Sequence, residues 1–198
     1  MKAVGYLTEG AITVAEGQML DMVLPKMESV GIDMYINMVE KKTAALFMAS
    51  VAMGATLAGA NQELVFKLRE AMRLAGIAFQ IRDDILGLVG DEKVLGKPIL
   101  SDLREGKRTI LVIYALQRLN EEDRRKLLTV LGNREASVEE LKEAAEMIKR
   151  VGAVEYADML AEDYAEKARR VVASIESRDV EAKSLLADLV EYLVKRRY

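Results

Sequence analysis

Apolar residues recur at three- and four-residue spacing along nearly all of this chain and nowhere alternate convincingly with period two. A strand buries every second residue, whereas a helix buries a stripe at the longer spacing, so the pattern predicts an all-α fold. Helices are expected from about Lys2 to Val23, where Pro25 breaks the first, and from Ile32 to Ala60. The second should turn Tyr35, Ile36, Val39, Leu46, Phe47 and Val51 to one side. A third runs from Gln62 to Leu88, before an irregular stretch from Val89 to Glu105 that holds Gly90, Gly96 and Pro98. Helix resumes over Lys107 to Leu119 and Glu121 to Leu131. Ser137 and Glu140 form a capping-box signature for a helix to Val151. Helices over Val154 to Ser177 and Val180 to Arg196 complete the pattern. With no repeat, linker or low-complexity tract, the 198 residues read as one helical domain.

Composition narrows the chemistry. The chain has no cysteine and no histidine, which excludes thiolate and imidazole metal sites, a Ser-His-Asp triad, and a di-iron bundle built on Glu-x-x-His pairs. What remains is carboxylate, Lys, Arg, Tyr and bound metal. A net charge of −3 with both signs interspersed gives no footprint for nucleic acid. The N-terminus lacks a signal-peptide pattern. The uncharged run from Ala44 to Ala60 is at the short edge of membrane-spanning length, but its Ala, Gly, Ser and Thr content suits a tightly packed central helix. A cytoplasmic protein is expected, not an integral membrane one.

Against that background the stretch Phe79-Gln80-Ile81-Arg82-Asp83-Asp84-Ile85-Leu86-Gly87 stands out. Two adjacent carboxylates close an otherwise apolar helix, near the end where acidic groups oppose the helix dipole. Gln80 lies three and four residues before them, on adjoining parts of one face. Gly76 and Gly87, outside that set, would leave room for a ligand along the helix. Carboxylates withdrawn from water need a positive partner, and oxygen-only ligands suit Mg²⁺ completed by substrate phosphates. Lys97, Arg104, Lys107 and Arg108 follow directly and would face those phosphates. The plainer alternative is a solvated helix end, with Asp83 or Asp84 paired to Arg82. Lys41-Lys42-Thr43, at the start of the uncharged run, reads either as a diphosphate contact or as ordinary surface lysines.

Taken in order, Glu16-Gly17-Gln18-x-x-Asp21, Lys42-Thr43-Ala44, Phe79-Gln80-x-x-Asp83-Asp84, Gly96-Lys97 and Asp102 through Lys107-Arg108-Thr109 resemble the trans-isoprenyl diphosphate synthases, or polyprenyl synthetases. The resemblance implies a helical bundle of the isoprenoid synthase type around an apolar cavity, usually in a homodimer. It implies Mg²⁺-dependent condensation of isopentenyl diphosphate with an allylic diphosphate. By the same resemblance Asp83 and Asp84 are the metal-binding second acidic motif, and Lys42, Lys97 and Lys107 hold the allylic diphosphate. Lys42, Thr43 and Gln80 are then the catalytic residues, with Thr43 beside the diphosphate in a region suited to stabilising the allylic cation and Gln80 next to the acidic pair.

Two departures from the family pattern shape the expectation. Gly87 stands where the second motif commonly ends in a third Asp, which removes one ligand. No first acidic motif lies upstream, so the chain is expected to be the C-terminal portion of such a bundle, incomplete at its N-terminus. It would then act as a prenyltransferase within the complete architecture, or as a non-catalytic or regulatory half-bundle. Either way, uncovered apolar faces predict self-association or a partner that supplies the missing helices.

Overall fold

A computed structural model describes residues 2–90, 99–177 and 179–194. The first helix, α1 (Lys2–Val23), passes into a 3₁₀ turn (Leu24–Lys26), with Pro25 where its missing N–H and fixed φ suit a helix start. Next come α2 (Ile32–Val39), a π-helical turn (Glu40–Ala44) and α3 (Ala45–Leu57), running on as one interrupted rod. The longest helix is α4 (Gln62–Val89). A short α5 (Ser101–Glu105) precedes α6 (Ile110–Arg118), α7 (Glu121–Val130), α8 (Val138–Arg150), α9 (Ala153–Ala173) and α10 (Val180–Val194). Among the described residues there is no strand, and no helix is long and apolar enough to cross a membrane.

Local chemistry sets most boundaries. Thr109 caps α6 by accepting from Val112 N–H, which is why that helix begins later than Lys107. Asn120 caps α7 in the same way through Asp123 N–H. The predicted capping box is present: Ser137 Oγ accepts from Glu140 N–H, and the Glu140 carboxylate accepts from Ser137 N–H at 2.8 Å. Gly106 ends α5 at φ 75°, lying against Gly132 so closely that a side chain has no room.

The expectation of one unbroken helix from Ile32 to Ala60 is corrected by the π turn. One extra residue rotates everything after it by about 100°. Tyr35 and Val39 are buried as the periodicity predicts, but Leu46 is 55% exposed and Ala45, Ala49 and Ala52 are buried instead. The irregular stretch before Glu105 also holds α5, which the turn-forming residues concealed.

Two compact units emerge. One comprises the described residues within Met1–Leu20, Ile36–Gln80 and Leu160–Arg197. Its core joins Ala71, Met72, Leu74 and Ala75 of α4 to Ala168 and Val172 of α9 and to Val190 and Leu193 of α10. The small residues on α4 and α9 let backbones approach, while the larger ones fill the gaps. The other unit comprises Asp21–Tyr35 and the described residues within Ile81–Met159. There Ile110 to Ile113 of α6, Leu127 of α7, and Leu141, Ala144 and Ile148 of α8 are buried. Tyr114 stacks on Tyr156 with ring centroids 4.3 Å apart.

Candidate functional site

In the first unit the π turn carries Lys41, Lys42 and Thr43, and glycines bring backbone against it from two sides. A Cβ on Gly17 of α1 would lie 2.2 Å from Lys42 N, and one on Gly76 of α4 would lie 2.7 Å from Ala44 Cα. Gly10 meets Ala49 two turns further along, so α1 runs antiparallel to the rod formed by the π turn and α3. Ion pairs flank the close approach: Lys41 reaches Glu16 of α1 at 2.8 Å, and Arg73 of α4 reaches Glu40 at 2.9 Å. One turn along α4 from Gly76, Gln80 Oε1 accepts from the Thr43 hydroxyl at 2.8 Å. Phe47 and Phe79, beside that pair, meet edge to face at 5.8 Å. Thr43 and Gln80, two of the expected site residues, are thus in contact. Lys42 is half-buried on the same turn.

In the second unit Asp83 and Asp84 sit within α4, which continues beyond them to Val89. Asp84 is only 7% exposed, and its Oδ2 accepts a 2.7 Å hydrogen bond from Tyr35, itself 1% exposed. Burial, then the charge and hydrogen bond of Asp84, raise the Tyr35 phenol well above its ordinary value; the charges of Asp102 and Asp83 push the same way. The phenol therefore stays protonated and serves as a donor. Arg82, the partner considered for the aspartates, bonds Asp158 of α9.

Asp102 of α5 is the second group that the periodicity did not single out as a ligand. Its Oδ2 lies 3.0 Å from where a Cβ on Gly87 would stand, and its Oδ1 accepts from Lys107 Nζ at 2.7 Å. The approach is set by Leu100, whose N–H reaches Gly87 O at 2.9 Å while its backbone takes a left-handed φ of 64°. Burial pulls the Lys107 ammonium down, but its pairs with Asp102 and with Glu105 at 3.0 Å outweigh it, and the pKa ends above its ordinary value. Arg108 donates weakly to Met27 O at 3.4 Å, and burial lowers its pKa.

The space at Gly76 and Gly87 was expected to take a ligand. It takes protein: Ala44 fills it at Gly76 and the Asp102 carboxylate at Gly87. Of the seven expected site residues, Lys97 lies outside the described residues. The signal for Tyr35 was its polar tip on an otherwise apolar helix face; for Asp102 it was the family-like run to Lys107.

The donor set fits a hard divalent cation. Asp83, Asp84 and Asp102 offer oxygen only, and a carboxylate as buried as Asp84 has lost the water that would otherwise solvate its charge. Among the described residues no three acidic side chains form a ready metal cluster.

A family model described as "Polyprenyl synthetase" matches residues 1–148. The geranylfarnesyl diphosphate synthase of Aeropyrum pernix is 44% identical over 98% of this chain and 60% of its own length. The geranylgeranyl diphosphate synthase of Sulfolobus acidocaldarius is 43% identical over 100% of this chain and 59% of its own length. Among solved structures, geranylgeranyl pyrophosphate synthase from Corynebacterium glutamicum, complexed with isoprenyl diphosphate and magnesium, superposes with a TM-score of 0.90. That match is at 30% identity and covers 98% of this chain and 56% of the other. The helical fold is thus the one these synthases share, and the chain spans about 60% of the length of the curated relatives it matches.

Proposed function

This chain belongs to the polyprenyl synthetase family, and from that premise we propose that it supplies the second-acidic-motif half of a prenyltransferase site. The reaction is condensation of isopentenyl diphosphate with an allylic diphosphate. The allylic C–O bond breaks with its electron pair leaving on the diphosphate, and the isopentenyl double bond attacks the allylic cation. A carbon–carbon bond forms and a proton is then lost. The observation that carries this reading is the buried Asp84 beside Asp83 on α4, one turn after Gln80.

Asp83 and Asp84 would hold Mg²⁺, with Asp102 close by. Bound Mg²⁺ supplies positive charge that stabilises the diphosphate as it leaves. Lys42, Lys97 and Lys107 neutralise the phosphate oxygens, and Lys107 must exchange Asp102 and Glu105 for them. Thr43 and Gln80, already joined by a hydrogen bond, present oxygen dipoles beside the allylic carbon. Phe47 and Phe79 give that place an apolar wall which excludes water.

A second reading is a non-catalytic or regulatory half-bundle that binds a partner subunit. In both, the apolar side chains exposed along α1, among them Val4, Ile12, Met19 and Met22, support a homodimer or a partner that supplies further helices. The proposed compartment is the cytoplasm. A prenyl-transfer assay with and without Mg²⁺ separates the readings. Metal-dependent chain extension by the isolated protein, abolished in Asp84→Ala, is the expected result for the enzyme. Equal turnover with Asp84→Ala would overturn the site, and turnover by the chain alone would exclude the regulatory reading.

A further inference from the structure

Tyr35 and Asp84 lie far apart in sequence and meet in the interior, each withdrawn from water. A phenol with almost no exposure needs a hydrogen-bond partner, and a carboxylate in the same place needs a donor. Each satisfies the other at 2.7 Å. Phenylalanine would fill the same space on α2 with no polar atom to satisfy, so packing alone does not call for tyrosine here. Asp83 and Asp102 stand close enough for their charges to act on the same phenol. The hydroxyl thus sits among acidic groups, as a donor amid acceptors.

We propose that Tyr35 is a positioning residue for the acidic pair: its hydroxyl pins Asp84 Oδ2, fixing the rotamer and plane in which that carboxylate meets a metal–diphosphate complex. Resting on the metal–diphosphate reading of Asp83 and Asp84, the proposal names the group that pre-organises them. A carboxylate on a helix turns about two bonds, and a ligand that must first select one rotamer binds more weakly. Outer groups that orient metal ligands commonly change metal affinity by about 10- to 100-fold when removed. Tyr35 does this from α2, the helix that leads directly into the π turn.

The test is a double-mutant cycle on the full chain with Tyr35→Phe, Asp84→Ala and the pair. Calorimetry reads the binding of inorganic diphosphate at increasing Mg²⁺, and urea denaturation reads stability. Tyr35→Phe should stay helical and bind diphosphate about tenfold more weakly in Mg²⁺. In the Asp84→Ala background it should change binding no further, because its effect runs through that carboxylate. A purely structural tyrosine would lower stability in both backgrounds and leave Mg²⁺-dependent affinity unchanged, which overturns the proposal. An equal loss of affinity in both backgrounds overturns it as well. If Asp84→Ala itself leaves binding intact, the metal–diphosphate reading fails first and takes this proposal with it.

Discussion

Adding one methyl group at Gly17 should separate α1 from the π turn. A Cβ there would stand 2.2 Å from Lys42 N and 2.6 Å from both Lys41 C and Lys42 Cα, all of them backbone atoms that no rotamer change can move. Ordinary contact begins at 3.4 Å, so the two backbones must part by roughly 1.2 Å in an interior packed like a crystal. Overpacking of this kind costs about 3 kcal/mol at the upper end of its usual range. Replacing a helical glycine by alanine returns about 1 kcal/mol through lower backbone entropy in the unfolded chain. The net expectation is a loss of about 2 kcal/mol for Gly17→Ala. Gly5, exposed on the same helix with nothing within 4 Å of its would-be Cβ, is the control. Gly5→Ala meets no obstacle and should gain about 1 kcal/mol. Urea denaturation of the two variants beside the wild type reads both signs in one experiment. A Gly17→Ala midpoint at or above the wild-type value would refute the close approach, and with it the account of how Lys42 and Thr43 are aimed.

Thr43→Val keeps the shape but removes the donor to Gln80 Oε1, and should lower stability by about 1 kcal/mol in the same assay; no change would mean that the pair contributes nothing. The Ser137 backbone N–H, then its hydroxyl, hold the Glu140 carboxyl below its ordinary value. That contribution is complete above the unfolded value of 4.5 and is lost as pH falls through the lowered folded one. The midpoint gap between wild type and Glu140→Ala should therefore narrow between neutral pH and acid, and a gap that widens contradicts the sign. Light scattering should find an assembly larger than one chain, reduced by Met19→Glu, since Met19 is 67% exposed on α1; a stable wild-type monomer would count against a covered face.

What the sequence made legible is what depends on neighbours along the chain. Ser137 and Glu140 announce a helix start because the atoms they satisfy lie three residues away. Gln80, Asp83 and Asp84 fall on one helix because α4 is long and regular, whereas the hydrogen bond between Thr43 and Gln80 joins two motifs whose spacing says nothing of it. The π turn was hidden, since Glu40-Lys41-Lys42-Thr43-Ala44 contains neither glycine nor proline. Its setting depends on Gly17 and Gly76, distant in sequence, pressing against it. Leu46 was misassigned for that reason: periodicity carried across an inserted residue turns the wrong face inward. The glycines themselves were misread because a missing side chain admits a ligand and a neighbouring element equally well. Tyr35 and Asp102 escaped notice as site residues because each becomes meaningful only through a tertiary approach, to Asp84 and to Gly87.

In the proposed function the acidic turn of α4 holds a metal–diphosphate unit. A crystal structure of this chain grown with magnesium and an isoprenyl diphosphate measures that directly. Metal density is expected about 2.1 Å from carboxylate oxygens of Asp83 or Asp84, with the diphosphate bound to that metal. Diphosphate bound elsewhere, with Asp83 and Asp84 far from any metal, would contradict it.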